Sequence, residues 1–210
     1  MAGGKNATST GGAGEKVTHM ELASHGFEIV SWGDWTKEVN RRKKWDRDME
    51  EHGYTQLKHP PREFSSRLCV TGYKHEAVSG HENSKADSIL LLDGVPSYYI
   101  EVKRQNSQGS TAAKLAYAVL AARYNPFHIP AILVITGIQF LDEEQNKDGS
   151  ERSYYLFAKK LAEEKVRLVL NNSERGNYEP TQPSSVEIMT GDEFTNWVTR
   201  MFRVKGAMMP

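Results

Sequence analysis

The sequence predicts a single α/β domain in which helices pack on a mixed β-sheet. Segments of strand length alternate with segments of helical periodicity along most of the chain, which is the pattern of α/β proteins. Residues 131–136 are almost entirely apolar, as expected for a strand inside a sheet that is covered on both faces. The 210 residues suit one such domain better than two.

Composition limits the classes of function that are compatible with the chain. Lys plus Arg and Asp plus Glu both number 27, so a nucleic-acid-binding role would need the basic residues sorted onto one face. The single cysteine, Cys69, excludes an intramolecular disulfide and a cysteine-rich zinc site. The sequence has no apolar run long enough to span a membrane and no signal-peptide core. We therefore expect a cytoplasmic protein with no membrane partner.

The N-terminal part predicts a helix followed by a strand. Residues 1–12 are rich in Gly, Ser, Thr and Ala, and we expect them to be flexible. A helix is predicted over residues 13–25, with Val17, Met20 and Ser24 on its buried stripe and Leu22 and Ala23 widening it. Residues 27–32 form the predicted first strand.

A helical insertion is predicted at about residues 34–64. Asp34 is a suitable N-cap for a helix over residues 35–52, and Gly53 would end it. Its basic run is a candidate for DNA contact and consists of Arg41, Arg42, Lys43 and Lys44. Two other interpretations stay open, namely a solvated helix of mixed charge and a dimer contact through Trp35 and Trp45.

Residues 88–103 predict a β-hairpin. Residues 88–92 are an apolar run of strand length, and residues 97–103 are rich in β-branched and aromatic side chains. Asp93-Gly94 between them is a strong hairpin-turn signal. Before the hairpin, residues 66–73 predict a strand and residues 74–84 a polar loop that carries His81.

Three charged residues interrupt this apolar hairpin. Glu101 and Lys103 project on the same side of their strand, because side chains alternate along a strand. Pairing through the turn brings Asp87 to the same end of the sheet. Two carboxylates and an ammonium are costly to desolvate there unless they stabilise each other or hold a metal. The simpler alternative is a Glu101–Lys103 salt bridge at a solvated strand end, with Asp87 as a loop acid.

This group suits metal-assisted hydrolysis of a phosphodiester. Asp87 and Glu101 offer hard oxygen ligands for Mg²⁺, with Mn²⁺ as a substitute, and the carbonyl of Val102 is a further candidate ligand. The metal would polarise the phosphate and acidify a water molecule. Lys103 would orient or deprotonate that water, or neutralise charge on the phosphorane.

An Asp, thirteen residues and then Glu-x-Lys on adjoining strands resembles the PD-(D/E)XK nuclease superfamily, which includes most type II restriction endonucleases. Asp87 matches the first acid of the motif, Glu101 the second and Lys103 the lysine; residue 86 is Ala where the family name has Pro. The resemblance implies a restriction-endonuclease-like αβββαβ core with a mixed central sheet flanked by helices. It also implies Mg²⁺ as the cofactor. The predicted nuclease domain spans residues 13–204, followed by a tail at 205–210.

The resemblance also implies a second set of active-site candidates. Glu15 lies on a helix that in this superfamily precedes the motif strands and often brings an acid to the metals; it would equally suit the helix dipole. After the motif, a helix is predicted over residues 112–124. The candidates at its start and in the preceding loop are Gln105, Ser110, Lys114 and Tyr117. Arg104 and His81 complete the candidate DNA contacts.

The C-terminal third is predicted as scaffold. Helices are expected at residues 151–165 and after a capping box formed by Thr190 and Glu193. Strands are expected at residues 166–170 and 185–189. The buried stripe of the last helix is predicted to comprise Phe194, Trp197, Val198, Met201 and Phe202.

The expected function is that of a Mg²⁺-dependent endonuclease acting on double-stranded DNA. A restriction-type homodimer is the first expectation, because two copies with one active site each can cut both strands of a symmetric site. Such an enzyme belongs to a restriction-modification system. The alternatives are a structure-specific junction resolvase or repair nuclease, and an inactive DNA-binding module of the same fold.

Overall fold

The computed structural model describes residues 4–76, 83–104, 111–137, 154–163 and 183–203. Within them the helices are α1 (Gly4–Ser24), α2 (Trp32–His52), α3 (Thr111–Arg123), α4 (Tyr154–Glu163) and α5 (Gly191–Phe202). The strands are β1 (Glu28–Ser31), β2 (Arg67–Glu76), β3 (Asn83–Leu92), β4 (Val95–Arg104), β5 (Ala131–Thr136) and β6 (Val186–Thr190). None of the helices in these ranges combines the length and the apolar character that a membrane span requires.

The strands form one mixed sheet in the order β1-β2-β3-β4-β5-β6. The central pairs β2–β3 and β3–β4 are antiparallel, whereas β1–β2, β4–β5 and β5–β6 are parallel. Read along the chain, α1, β2–β4, α3 and β5 follow the expected αβββαβ order, with β1 and α2 placed between α1 and β2. The prediction of an α/β fold with a mixed central sheet is therefore confirmed.

Helices cover both faces of the sheet. One face, which we call the α1 face, carries α1 and α5 over a core that includes Leu22, Cys69, Leu90, Ile100, Val102, Val134, Phe194 and Trp197. On the opposite face, the α3 face, α3 and α4 pack over Leu115, Val119, Leu133, Ile135, Ala158 and Ile188. A further cluster continues the α3 face toward β1 and β2, where Trp32 and Trp35 of α2 pack beside Tyr73.

The β3–β4 hairpin forms as predicted, but its strands are longer. Asp93 and Gly94 both have positive φ, 50° and 79°, which matches the twist of a two-residue hairpin turn. The predicted polar loop at residues 74–84 is wrong at both ends, since β2 runs to Glu76 and β3 begins at Asn83. The β2–β3 ladder continues there because its hydrogen bonds are made by the backbone and do not require apolar side chains.

Helix α1 differs from its prediction in its start and in its buried side. It begins at Gly4, inside the segment expected to be flexible, and not at residue 13. Of the predicted inward side only Leu22 is buried, since Val17 is 64% and Met20 63% exposed; Gly14 and Thr18 complete the buried stripe. The small side chains let the helix approach the sheet closely, which explains why this stripe is the buried one.

Helix α2 begins earlier than predicted. Ser31, not Asp34, is the N-cap: it has an extended backbone, and its hydroxyl accepts a hydrogen bond from the backbone N–H of Asp34 at 3.2 Å. The Asp34 carboxylate in turn accepts from the Ser31 hydroxyl at 2.7 Å. Gly53 ends the helix in the left-handed conformation, as expected.

The C-terminal helix α5 follows its prediction closely. The capping box is present, since the Glu193 N–H donates to the Thr190 hydroxyl while the Thr190 N–H donates to the Glu193 carboxylate. Four of the five predicted stripe residues are buried, but Met201 is 47% exposed. The strand predicted at residues 166–170 and the tail at 205–210 lie outside the described residues.

Arg67, at the start of β2, joins the C-terminal ends of two helices. Its guanidinium donates to the backbone carbonyls of His25 at 3.0 Å and Phe202 at 3.1 Å. It also lies over the Phe202 ring, 5.9 Å from the centroid. Carbonyls at helix ends lack partners within the helix, so one cation here stabilises α1 and α5 against the same strand.

We expect Arg67→Ala to lower the free energy of unfolding by about 2 kcal/mol, because hydrogen bonds to a charged group are lost at two helix ends. Urea unfolding followed by circular dichroism measures this change. Arg47→Ala is the matched control, since Arg47 is exposed and pairs only with the adjacent Asp48 at 3.8 Å among the contacts described. Equal stability losses in the two variants would contradict the role of Arg67.

Candidate active site

The candidate site lies where β3 and β4 separate. The β3–β4 ladder runs from the turn to the pair Ser88–Ile100, while β3 stays paired with β2 beyond that point. Asp87 is the first residue past the ladder. Its Oδ2 accepts a hydrogen bond from the backbone N–H of Val102 at 2.7 Å, so a side chain replaces the missing strand partner.

Glu101 and Lys103 leave β4 on the α3 face, next to Asp87. Glu101 is only 9% exposed, and the ammonium of Lys103 donates to its Oε1. Its other oxygen, Oε2, is buried and has no hydrogen-bond partner among the described residues. A buried carboxylate oxygen without a partner is costly in a folded protein and calls for a ligand or a proton.

The pKa values of the three residues show how strongly these charges interact. Burial, together with the negative charge of Asp87, raises the pKa of Glu101 to about 7. Burial also raises the pKa of Asp87, against the opposing effects of Lys103 and of the Val102 N–H. For Lys103, burial acts to lower the pKa, but the charges of Glu101 and Asp87 outweigh it and the pKa ends above its ordinary value. The ammonium is therefore charged at neutral pH.

Helix α1 brings two more polar side chains to the same place. Burial and the charge of Asp87 raise the pKa of Glu15, while Lys103 opposes the shift, so Glu15 lies within electrostatic reach of both. His19 Nε2 lies 2.7 Å from the hydroxyl of Ser88, the residue after Asp87. Burial lowers the pKa of His19, and Asp87 opposes that shift.

Gly14 explains how α1 can come so near. A Cβ at this position would lie 3.2 Å from Val102 Cγ1, 3.2 Å from Thr136 Oγ1 and 3.3 Å from Arg104 Cβ. These distances are shorter than ordinary van der Waals contacts, so any larger residue would push the helix away from β4. Glycine costs about 1 kcal/mol in a helix interior, and here it allows Glu15 to approach the motif strands.

The donor set of this site fits a magnesium ion. The described residues contain no cluster of three or more His, Cys, Asp or Glu side chains that could hold a metal by themselves. Mg²⁺ does not need one, because it keeps several waters and binds through one or two carboxylates plus substrate phosphate. Asp87 and Glu101 are such carboxylates, and the unpartnered Oε2 of Glu101 is a ready ligand. The Val102 carbonyl points to the same strand edge as its N–H and therefore faces the same gap.

The second set of candidates is only partly visible. Glu15 approaches the motif residues as expected, and Tyr117 is an exposed residue of α3 near the buried Tyr99. Gln105 and Ser110 lie outside the described residues, as does the side chain of Lys114. The roles of all five stay predictions.

The candidate DNA contacts are dispersed. Arg41 binds Glu38 at 2.8 Å and the His59 carbonyl at 3.2 Å, and Arg42 lies 3.9 Å from Glu63. Lys43 and Lys44 are exposed on α2, which packs against β1 and β2. Arg104 ends β4 beside Gly14, whereas His81 lies outside the described residues. Arg41 and Arg42 are thus partly engaged within the protein, and DNA contact by this set stays a prediction.

Sequence reasoning did not identify His19, Ser88 or Tyr99 as residues of this site. His19 was missed because the wrong side of α1 was predicted to be buried. A buried stripe through Gly14, Thr18 and Leu22 places Glu15 and His19 next to each other at the edge of that stripe. Tyr99 shares the α3 face with Glu101, and burial and the charges of Glu101 and Asp87 raise its pKa. Its hydroxyl is therefore neutral at physiological pH.

We expect Glu101→Gln to raise the thermal midpoint of the metal-free protein by several degrees at pH 8. The Glu101 carboxyl has a pKa of about 7 in the folded protein and an ordinary value of 4.5. Its contribution to stability is therefore fully present below about pH 4.5 and is lost as the pH rises through about 7. Glutamine does not ionise and avoids this loss, so the gain should shrink toward pH 5.

Thermal melts in EDTA between pH 5 and pH 8.5 measure the effect. Glu187→Gln on β6 is the control, because Glu187 is exposed to water and its substitution removes no buried charge. A Glu101→Gln variant less stable than the wild type at pH 8 would mean that the ion pair with Lys103 outweighs the cost of burying the charge.

Comparison with known proteins agrees with this geometry. A family model described as a PD-(D/E)XK nuclease superfamily domain matches residues 6–143. The matched part includes α1 from residue 6 onward, the hairpin with Asp87, Glu101 and Lys103, and the apolar strand β5. No curated protein and no solved structure matches the chain. Because the matched region covers well over half of the 210 residues and its strands and helices follow the expected order, the chain belongs to the PD-(D/E)XK nuclease superfamily.

Proposed function

We propose that the protein is a Mg²⁺-dependent endonuclease that hydrolyses phosphodiester bonds of DNA, with Mn²⁺ as a substitute metal. The observation that carries the proposal is the cluster of Asp87, Glu101 and Lys103, in which the buried Glu101 Oε2 has no partner among the described residues. A salt bridge alone would need only Glu101 and Lys103. The second acid beside them adds repulsion, which a divalent cation would relieve.

The protein residues have distinct tasks in this reaction. Asp87 and Glu101 would hold the metal, together with the Val102 carbonyl. A bound Mg²⁺ supplies Lewis-acid activation of the scissile phosphate and of a water molecule. Lys103 keeps its proton at neutral pH, which favours neutralising charge on the phosphorane and orienting the water over acting as a base. The Val102 N–H holds Asp87 in place through a 2.7 Å hydrogen bond.

The choice of DNA substrate tests which kind of nuclease the protein is. We propose a restriction-type homodimer acting on double-stranded DNA first, and a structure-specific resolvase or repair nuclease second. Incubation with plasmid DNA and Mg²⁺, beside a branched duplex, separates them: discrete plasmid fragments indicate restriction, and preference for the branched substrate indicates structure specificity. Binding without cleavage of either substrate would indicate an inactive DNA-binding module and would refute the enzyme.

Asp87→Asn, Glu101→Gln and Lys103→Ala should each lower the rate of cleavage by at least about 100-fold, because the three groups act as a unit on developing charge. Single-turnover cleavage of a labelled duplex with saturating Mg²⁺ measures the rates. Asp93→Asn is the matched control: it makes the same chemical change at the turn of the same hairpin, at the opposite end from the site. Full activity of any of the three site variants would refute the assignment.

A glycine in β2 contributes to the position of Asp87. Gly72 lies opposite Asp87, between the pairs Thr71–Ser88 and Tyr73–Ala86, and has a φ of 62°. Side chains two positions apart on a strand normally lie on the same face of the sheet, but here they do not. Ser88 contacts His19 on the α1 face, whereas Ala86 packs with the cluster that contains Tyr99 and Ala122 on the α3 face. Irregularities of this kind next to active sites re-aim a side chain, and here the side chain is Asp87.

We expect Gly72→Ala to lower cleavage at least about tenfold beyond its effect on stability, because it displaces a group of the catalytic unit. Gly53→Ala is the control, because Gly53 also has positive φ, 74°, and a Cβ at either position meets no atom within 4 Å. Both variants should lose about 1–2 kcal/mol of stability from the left-handed backbone, but only the Gly72 variant should displace Asp87. Gly72→Asn should retain more activity than Gly72→Ala, since Asn tolerates positive φ. Equal activity of the two Ala variants would leave Gly72 with a structural role only.

A further inference from the structure

A groove of about 300 Å³ runs along α1 on the side that faces β1. Its lining includes Glu15, Lys16, His19, Met20 and Ala23 from the helix and Ile29 from β1. Each of these helix residues has another one three or four positions away, so they form a continuous stripe of about two and a half turns. The volume is at the lower end of the range typical of small-ligand sites.

One end of this groove belongs to the candidate active site. Glu15 is within electrostatic reach of Asp87 and Lys103, and His19 is hydrogen-bonded to Ser88, the neighbour of Asp87 in sequence. Because Glu101 and Lys103 lie on the α3 face and the groove lies under α1, a polynucleotide with a phosphate at Asp87 and Glu101 would reach the groove by passing the open end of the hairpin, where β3 and β4 separate. Lys16 is exposed at this end and is suited to contact a backbone phosphate.

The other end of the groove is apolar. Met20 is 63% exposed, and Ala23 and Ile29 continue the same wall. A thioether and an aliphatic side chain offer a polarisable, apolar surface of the kind that packs against the flat face of an aromatic ring. The two ends of the groove would together bind an aromatic ring that is covalently linked to a phosphate.

We propose that this groove receives the base of an unpaired nucleotide next to the scissile phosphate, with Met20 and Ile29 against the face of the base. The proposal rests on the proposed nuclease function and, of its two alternatives, specifies the substrate class of the structure-specific one. Inside a duplex both faces of a base are stacked, so only an unpaired or extruded base exposes a face to Met20. Single-stranded arms, bulges and frayed ends supply such nucleotides, and the branched substrate of the structure-specific alternative contains them.

The experiment uses a fluorescent duplex with a single-stranded arm, in which each nucleotide around the junction is replaced in turn by an abasic unit. Binding to the full chain is measured by fluorescence anisotropy with Ca²⁺, and cleavage is measured separately with Mg²⁺. For the wild type, we expect one abasic position to weaken binding about fivefold, because contact with a single base is lost. Abasic units at the other positions should have smaller effects.

Met20→Ala identifies the contact, and Val17→Ala is its control. The two residues lie on the same helix and are equally exposed, at 63% and 64%, but only Met20 lines the groove. Met20→Ala should weaken binding of the intact substrate about fivefold and raise KM with little change in kcat. It should add nothing to the effect of the sensitive abasic position, because both changes remove the same contact. Val17→Ala should bind every substrate like the wild type.

The outcomes separate this inference from the proposed function. The base-binding groove would be overturned if abasic units weakened binding equally at every position, or if the Met20 and Val17 variants lost equal binding affinity. Either result would count even if the wild type cleaves DNA. Absence of cleavage, together with a position-specific and Met20-dependent loss of binding, would support the groove and overturn the nuclease activity.

Discussion

The structure depends on one electrostatic constraint: two carboxylates and one ammonium share the partly buried end of a β-hairpin. Burial and, after it, the charge of Asp87 raise the pKa of Glu101 to about 7, and Lys103 compensates only part of this rise. An ion pair optimised for stability would leave out one of the acids. A divalent cation bound between the carboxylates, as proposed above, would supply the missing charge. Without one, the folded protein gives up stability at this place, and perturbed pKa values of this kind cluster at functional sites.

The surrounding fold holds these charges in place by local departures from regular structure. Separation of β3 from β4 frees the Val102 N–H for Asp87, and the positive φ of Gly72 reverses the strand alternation beside it. Gly14 lets α1 lie close enough to β4 to add Glu15. Each departure is unfavourable by itself, by about 1 kcal/mol for a helical glycine. All three departures lie beside the part of β3 and β4 that carries the motif residues. A chain selected only for stability would have no need of all three.

Sequence reasoning succeeded where local chemistry determines the structure. Asp93-Gly94 permits the positive φ values of a hairpin turn, the apolar run at residues 131–136 is buried in the sheet as β5, and Thr190 with Glu193 forms a capping box. It failed where the determinant is not local. The extension of β2 and β3 to Glu76 and Asn83 depends on backbone pairing between strands, and the conformation of Gly72 depends on its partner strand. Neither feature changes the periodicity of the side chains, so neither can be predicted from that periodicity.

The error on α1 has a structural reason. Val17 and Met20 have the apolar character of core residues, yet they are exposed, while a glycine and a threonine occupy the buried side. The helix lies so close to β4 that a Cβ on Gly14 would come within 3.2 Å of a β4 side chain, and such an approach demands small residues inward. The larger apolar residues are then left on the outer surface, where single exposed apolar side chains are normal. Met20 borders the groove that also includes Glu15 and His19, so the helix that brings Glu15 toward the motif strands also presents an apolar side chain on the same side.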